Sequence, residues 1–481
     1  MLLPMSPADS MWLLAESREH PMHVGGLQLF EPPEGADAAD LRGLFDAAIA
    51  NDTAAQRFRQ RATRSWSSLG QWAWEEDGGF ELGYHVRHDA LPQPGGMREL
   101  LDLCAQLHAA PMDRHRPLWE MHLIEGLRDG RFAVYTKVHH AVSDGVSAMR
   151  MLVRSLSEDP TERAMPTVWD TGYPAQETHV SEDPTAETED HGGVLGLPIS
   201  AARAAAEMVG GAAAIAPAVA STVARALREQ GGSLSFAAPN TILNVPIAGA
   251  RRYAARSWPI ERLRLIAKAV DATVNDIVLA MCSGGLRTFM LSLDALPELP
   301  LIAAVPVSLR GSSADEPVSE GGDSADEPAG NSFGILMCNL ATHLADPAQR
   351  LETVRTSMLE GKESLTGMRP SQILAMSAVG MAPAALHVVA GSSGAVRPPF
   401  NVVISNVPGP RTPRYWNGAR LDGLYPIAFP ADGQALNITC TSCDDTIAFG
   451  LTGCRRALPD LDPLLDHLDD ELRALETAVG L

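Results

Sequence analysis

Lys137-Val138-His139-His140-Ala141-Val142-Ser143-Asp144-Gly145 decides how the rest of this 481-residue chain is read. The run leading into it, Phe132 to Val138, is rich in β-branched and aromatic residues, which predicts a strand. After it, Val146, Met149, Val153 and Leu156 recur at helical spacing, with Ser143 or Asp144 placed to cap the first turn. Two adjacent histidines, a carboxylate and a turn glycine therefore sit at a strand-to-helix junction, where a rigid element can hold a side chain at a cleft. Successive strand residues point to opposite faces, so only one of the two histidines can face a substrate in this way. With an ordinary pKa of about 6.5, that histidine can take a proton from an attacking hydroxyl near neutral pH. Asp144 is placed either to orient the imidazole or to brace the loop against an arginine elsewhere. For a lone histidine pair the bland explanation is a satisfied core histidine beside a solvated one.

Outward from the motif, Pro117-Leu118-Trp119-Glu120 leads into a strand, a turn at Asp129-Gly130 and the histidine strand, a hairpin that delivers the base. Residues 6–30 read as a short capped helix, a turn and a first strand. Helices are expected over 39–49 and 97–107, both covering one sheet. A second domain is expected from about residue 241. It has a helix over 260–270, and Asn275 is expected to cap the next, with Asp276 suiting the positive end of its dipole. Strands follow at 301–310, 335–342 and 401–407, then at 418–426, 436–439 and 447–451, and the chain closes on an apolar helical stripe from Leu461 to Val479.

The formal charge is −21, and most of it is local: residues 158–191 carry ten acids against Arg163, and 313–328 carry six acids and no base. The remainder is unexceptional for a folded body and argues against nucleic acid as a partner. The segment 158–194 is acidic, rich in Pro and Thr and poor in large apolar residues, and is expected to be a mobile linker. Residues 195–240 read as an alanine-rich helical connection, too short in its uncharged part to span a membrane and suited to packing on the body or lying on a lipid surface. Ser313-Ala314-Asp315-Glu316-Pro317 repeats as Ser324-Ala325-Asp326-Glu327-Pro328, which marks 311–330 as a disordered acidic loop.

Two rival motifs fail on context. Gly330-Asn331-Ser332-Phe333-Gly334 matches the nucleophile elbow of serine hydrolases, but a loop precedes it and a strand follows it, where that motif needs a strand and then a helix. Cys440-Thr441-Ser442-Cys443 lies in a strand-like run without a second pair, so neither a metal nor a redox role is expected. Six scattered cysteines make no disulfide framework, and the first residues lack a basic stretch followed by an apolar one. A cytoplasmic protein is expected, with peripheral attachment to a membrane or lipid droplet left open.

His139-His140-x-x-x-Asp144-Gly145 resembles the signature of acyltransferases related to chloramphenicol acetyltransferase, in which the second histidine is the general base; carried over, that is His140. Together with Pro21-Met22-His23-Val24-Gly25-Gly26, Pro117-Leu118-Trp119-Glu120, Asn275-Asp276 and Ser405-Asn406-Val407-Pro408-Gly409-Pro410, the chain resembles the bacterial wax ester synthase/diacylglycerol acyltransferase family over nearly its whole length. The resemblance implies an α/β fold of two chloramphenicol-acetyltransferase-like domains joined by a helical crossover, with the active site in a channel between them. It implies transfer of a long-chain acyl group from acyl-CoA, a substrate, to a lipid hydroxyl, with no cofactor and no metal. Diacylglycerol would give triacylglycerol, and a long-chain alcohol would give a wax ester. His139 would shape the site, Asp144 and Gly145 would hold the loop, and Pro117, Leu118 and Trp119 would support it. Asn275, Asp276, Ser405 and Asn406 are the second-domain candidates for positioning or for polarising the thioester. Cys443 and Cys454 stand where the resemblance has a tyrosine-like and an acidic residue, and are expected to alter the second domain's wall of the pocket. The reading of another class is a lipid-binding or acyl-CoA-binding protein that keeps this fold without turnover.

Overall fold

The computed structural model describes residues 2–50, 54–64, 71–170, 238–308, 333–365 and 397–481. The remainder of the expected linker, most of the alanine-rich connection, the acidic loop at 311–330 and Ser332 lie outside the described residues.

The histidine strand runs inside a six-stranded sheet ordered β12 (Tyr415–Trp416), β13 (Ala419–Ile427), β2 (His23–Glu31), β7 (Phe132–His139), β6 (Trp119–Glu125) and β5 (Val86–Ala90). β7 lies antiparallel between β2 and β6, with His23 opposite His139 and Trp119 opposite Val138. The expected β6–β7 hairpin forms, and Gly130 in its turn has a φ of 82°, which favours glycine. Strand alternation sends Phe30, Phe132 and Val134 to one face, covered by Phe45 of the Ala38–Ile49 helix and by Met149, Leu152 and Val153 of the Gly145–Arg154 helix. Leu27, Leu29, Ala133 and Tyr135 point the other way, onto Leu100 and Cys104 of the Met97–Ala109 helix. The two helices read from periodicity thus cover one sheet from opposite sides.

A second six-stranded sheet is ordered β10 (Phe333–Asn339), β9 (Ile302–Ser308), β11 (Val402–Val407), β14 (Leu436–Cys443), β15 (Thr446–Cys454) and β8 (Arg251–Pro259). One face packs into a single large core with the helices Ile260–Ala269, Val274–Ser292, Pro347–Leu365 and Asp462–Ala478. The closing stripe, Leu464, Leu465, Leu468, Leu472 and Leu475, belongs wholly to that core. The opposite face meets the first sheet, where Tyr253 and Ala448 join Leu27, Tyr135 and Tyr425 in one cluster. At Gly450 the two backbones nearly touch: a Cβ there would stand 1.9 Å from the Pro426 carbonyl oxygen, so no other residue fits without moving a strand.

Three expectations change. The strand over 419–427, grouped in the sequence with the second domain, pairs antiparallel with β2 from Arg420–Glu31 to Ile427–Gly25 and extends the first sheet. Pattern alone gives a strand's existence and not its partner. The start of the acidic linker, 158–170, is folded onto the first domain: Trp169 is 3 % exposed and stacks on Trp119, and Ser157 exchanges backbone hydrogen bonds with Tyr415. One buried indole outweighs the acidic composition there. The cap of the Val274–Ser292 helix is Thr273, not Asn275: Thr273 Oγ1 accepts from Asp276 N, and Asp276 Oδ2 accepts from Thr273 N at 2.9 Å. Asn275 is left in the first turn with its side chain free for another partner.

Candidate active site

The motif loop is floored by a small third sheet, β1 (Leu3–Pro4), β4 (Trp72–Glu76) and β3 (Gln60–Arg64), whose Ala62 and Trp74 pack with Met5, Leu13, Leu118, Ala141 and Val142. Arg57 lies 4.2 Å over the Trp74 ring and donates to the Ala141 and Val142 carbonyls at 3.3 and 3.4 Å. Arg57 thus braces the loop at two of its backbone carbonyls. Asp144 Oδ1 accepts from Ser147 N at 2.7 Å and is the N-cap of the Gly145–Arg154 helix. Of the two candidate caps, Asp144 is therefore the one used.

Backbone hydrogen bonds fix both histidines: His139 N donates to Leu118 O at 3.0 Å and His140 N to Met22 O at 2.9 Å. Their rings part, as strand geometry requires. His139 is fully buried; its Nδ1 accepts from Ala141 N at 3.0 Å and its Nε2 faces Glu16 Oε1 at 3.5 Å. Glu16 also accepts from Arg114 Nε at 2.8 Å and from Met22 N at 3.3 Å. Burial pushes the Glu16 carboxyl up, but His139 and Arg114 outweigh it and hold it at about 2. The chain Arg114–Glu16–His139 thus ties the N-terminal helix to the motif, and Met22 links the His140 backbone to the same carboxylate.

His140 is half-buried and is stacked face to face on Trp12 of the Pro7–Ala15 helix, ring centroids 4.0 Å apart and planes 24° off parallel. Phe429, just beyond β13, meets the same imidazole edge-on at 6.0 Å. Burial holds the His140 pKa down to about 4, against the opposing pull of Asp144 and of its own backbone carbonyl. The imidazole is therefore neutral at neutral pH, the form a general base needs.

Pro117, Leu118 and Trp119 are all buried. Trp119 Nε1 donates to Phe58 O at 2.8 Å and its ring stacks on His85 at 4.7 Å. They carry the loop from below. Gly145 has no left-handed backbone and so is not a conformational turn glycine; a Cβ there would lie 3.5 Å from Val407 Cγ2, so it marks where the motif helix meets β11. Alternation puts Ser405 on the same face of β11 as Val407, toward the first sheet. Asn406 points to the opposite face, where its Nδ2 donates to Asn275 Oδ1 at 3.5 Å. Asp276 is buried in its capping box. Among the described residues no hydrogen bond joins the His140 ring to Asn275, Asp276, Ser405 or Asn406.

Placement separates the two cysteines of the rival pair. Cys440 faces the large core of the second domain and Cys443 the core of the first, on opposite faces of β14, so they cannot share an ion. Burial pushes the Cys443 thiol up to about 12 and raises that of Cys440 as well. The expectation that Cys443 and Cys454 line the pocket does not hold: Cys454 is fully buried, its Sγ accepting from Ala248 N, and Cys443 packs with Leu421 and Leu424. No described helix is long and apolar enough to cross a membrane.

Trp12, Glu16, Arg57, Arg114 and Phe429 were not singled out from sequence as site residues. One signal was available: Glu16 is an acid at a helix C-terminus, where the dipole disfavours it, which marks a carboxylate held by something else.

Residues 5–278 match the wax ester synthase/diacylglycerol acyltransferase catalytic domain, and 329–476 match the C-terminal domain of the same family. The chain is 46 % identical over 477 residues to a protein of Mycobacterium tuberculosis named as a probable diacylglycerol O-acyltransferase, covering 99 % of each. It is similar in structure to the wax ester synthase/diacylglycerol acyltransferase from Marinobacter aquaeolei VT8, with a TM-score of 0.77 and 40 % identity over the whole of both chains. The first condensation domain of the calcium-dependent antibiotic synthetase shares the fold, with a TM-score of 0.60 at 18 % identity over all of this chain and 97 % of that one. With the histidine motif at the junction of two such sheets, the chain belongs to the wax ester synthase/diacylglycerol acyltransferase family of acyltransferases.

Proposed function

We propose that the protein moves a long-chain acyl group from acyl-CoA to the hydroxyl of a lipid, with diacylglycerol as acceptor and triacylglycerol as product. The observation that carries this reading is the neutral, half-buried imidazole of His140 at the meeting of the two sheets. A neutral imidazole keeps the lone pair of one ring nitrogen, which accepts the proton of the acceptor hydroxyl. The hydroxyl oxygen attacks the thioester carbonyl, the carbon–sulfur bond breaks, and the imidazolium returns its proton to the departing CoA thiolate. No acyl-enzyme and no cofactor enters. His139, with Glu16 and Arg114, fixes the loop; Asp144 caps the helix behind it; Gly145 opens that helix where it meets β11. Of the four second-domain candidates, Ser405 is the one on the face of β11 toward the first sheet, and Asn275 and Asn406 brace each other behind it.

A wax ester product is the second reading, supported by the name of the Marinobacter relative. Peripheral contact with a lipid surface is supported by Met11 and Leu14, 68 % and 63 % exposed on the same short helix that carries Trp12. The test offers palmitoyl-CoA with diacylglycerol or with hexadecanol and follows CoA release and the identified ester. Triacylglycerol from the first mixture supports the reading. Ester only from hexadecanol replaces the acceptor, and thioester binding without ester in either mixture contradicts the enzyme.

A further inference from the structure

His140 is enclosed by rings from both halves of the chain. Trp12 comes from the N-terminal helix and Phe429 from the segment after β13; they also meet each other, edge to face, at 5.9 Å. We propose that Trp12 is a positioning residue for the general base: its indole, backed by Phe429, fixes the plane of the His140 ring and holds water off its face. The proposal rests on the reading of His140 as the base.

The geometry is specific. A proton reaches an imidazole nitrogen along its lone pair, in the plane of the ring, so an indole stacked 4.0 Å over the face leaves that path open while preventing rotation out of it. Nδ1 of His140 is enclosed without a well-formed hydrogen bond, so the stack supplies orientation that hydrogen bonding to that nitrogen does not. Nor is Trp12 only a core residue of its helix. Leu13 beside it is buried in the floor of the motif loop, whereas Trp12 is half-buried and spends its face on the histidine. The ionisable groups around the imidazole are few. The motif contributes His139 and Asp144, and the N-terminal helix contributes Asp9 and its C-cap Glu16, the latter engaged by Arg114. The segment of Phe429 contributes Asp432, paired with His20 at 3.1 Å. None is an exposed charge that Trp12 would merely screen, so its main effect on the imidazole is exclusion of water.

The test is the pH profile of acyl transfer for the wild type, Trp12→Ala, Trp12→Phe and His140→Ala. For Trp12→Ala, kcat should fall about tenfold or more with KM for palmitoyl-CoA changed less than about threefold, because ring orientation is lost and not binding. Its acid limb should move upward by about one pH unit as water reaches the imidazole. Trp12→Phe, which keeps a stacking ring, should restore both. An acid limb in Trp12→Ala coincident with the wild type's, or Trp12→Phe as impaired as Trp12→Ala, overturns the proposal. If Trp12→Ala does not fold, Phe429→Leu carries the same test from the other half of the chain, with a shift of the limb in the same direction expected. Wild-type activity in His140→Ala would instead overturn the base assignment on which the proposal rests.

Discussion

The two sheets are built alike and filled differently. Each has six strands with helices packed on it, yet the second holds one large apolar core and only a small cluster on its other face, whereas the first is divided into clusters interleaved with polar groups. All five histidines buried among the described residues, His23, His85, His108, His122 and His139, lie in the first half. So does a buried lysine: Lys137, on the strand of His139, donates from Nζ to Glu120 at 2.8 Å and to the Leu107 and Ala110 carbonyls. Burial pushes the Glu120 carboxyl up, but His122 and Lys137 prevail and hold it at about 2. Among the described residues the second half has one comparable pair, Arg350 and Glu471, set in the helical layer of its large core. The contrast teaches that the second domain is a scaffold that supplies a wall, while the first accepts desolvated polar groups because they set the histidine strand.

Removing one partner of each buried pair is the strongest way to break that contrast. Lys137→Met leaves Glu120 with only His122 and Arg87, and should cost about 3 kcal/mol in chemical denaturation, as should Arg350→Met with Glu471. Only Lys137→Met should also lower kcat of the folded fraction, because only it disturbs the strand that ends in His139; equal kcat losses in both would erase the distinction.

Acid should separate the halves next. Glu16 and Glu120 have folded pKa values of about 2 against an ordinary 4.5, so each contributes stability that is fully present above about 4.5 and lost as pH falls through about 2, up to about 3 kcal/mol each. Glu471 is shifted the other way, raised chiefly by burial, so acidification does not remove stability there. Hydrogen exchange at pH 3 should therefore open β6 and β7 before β14 and β15; simultaneous opening would contradict the assignment.

Gly450→Ala should cost about 1–3 kcal/mol by forcing a methyl group against the Pro426 carbonyl, with a fall in thermal midpoint as the measurement. An unchanged midpoint would mean that the sheets are not held that closely. The smallest effect sharpens the role of the wall: Ser405→Ala should change kcat/KM more than Asn406→Ala, each by less than about tenfold, because Ser405 faces the first sheet and Asn406 faces Asn275.

Much of this was legible in the chain. The strand, the loop and the capped helix around His139 and His140 follow from β-branched residues, a period of 3.6 and one aspartate, and the family motifs stand in the sequence at their proper spacing. What could not be read were partners across space. The 419–427 strand has an ordinary strand pattern, which cannot say that its neighbour is β2, nearly 400 residues earlier. Thr273 won the cap over Asn275 because it could pair reciprocally with Asp276, a contest decided by geometry. Trp12 reads as any apolar residue on a short helix until its ring is found over His140.

The central claim is that His140 takes the proton of the acceptor. The most direct measurement compares triacylglycerol formed from palmitoyl-CoA and diacylglycerol by the wild type and by folded His140→Ala. The account predicts a loss of about 10²–10⁴ in rate with acyl-CoA binding retained; equal product from both proteins would contradict it.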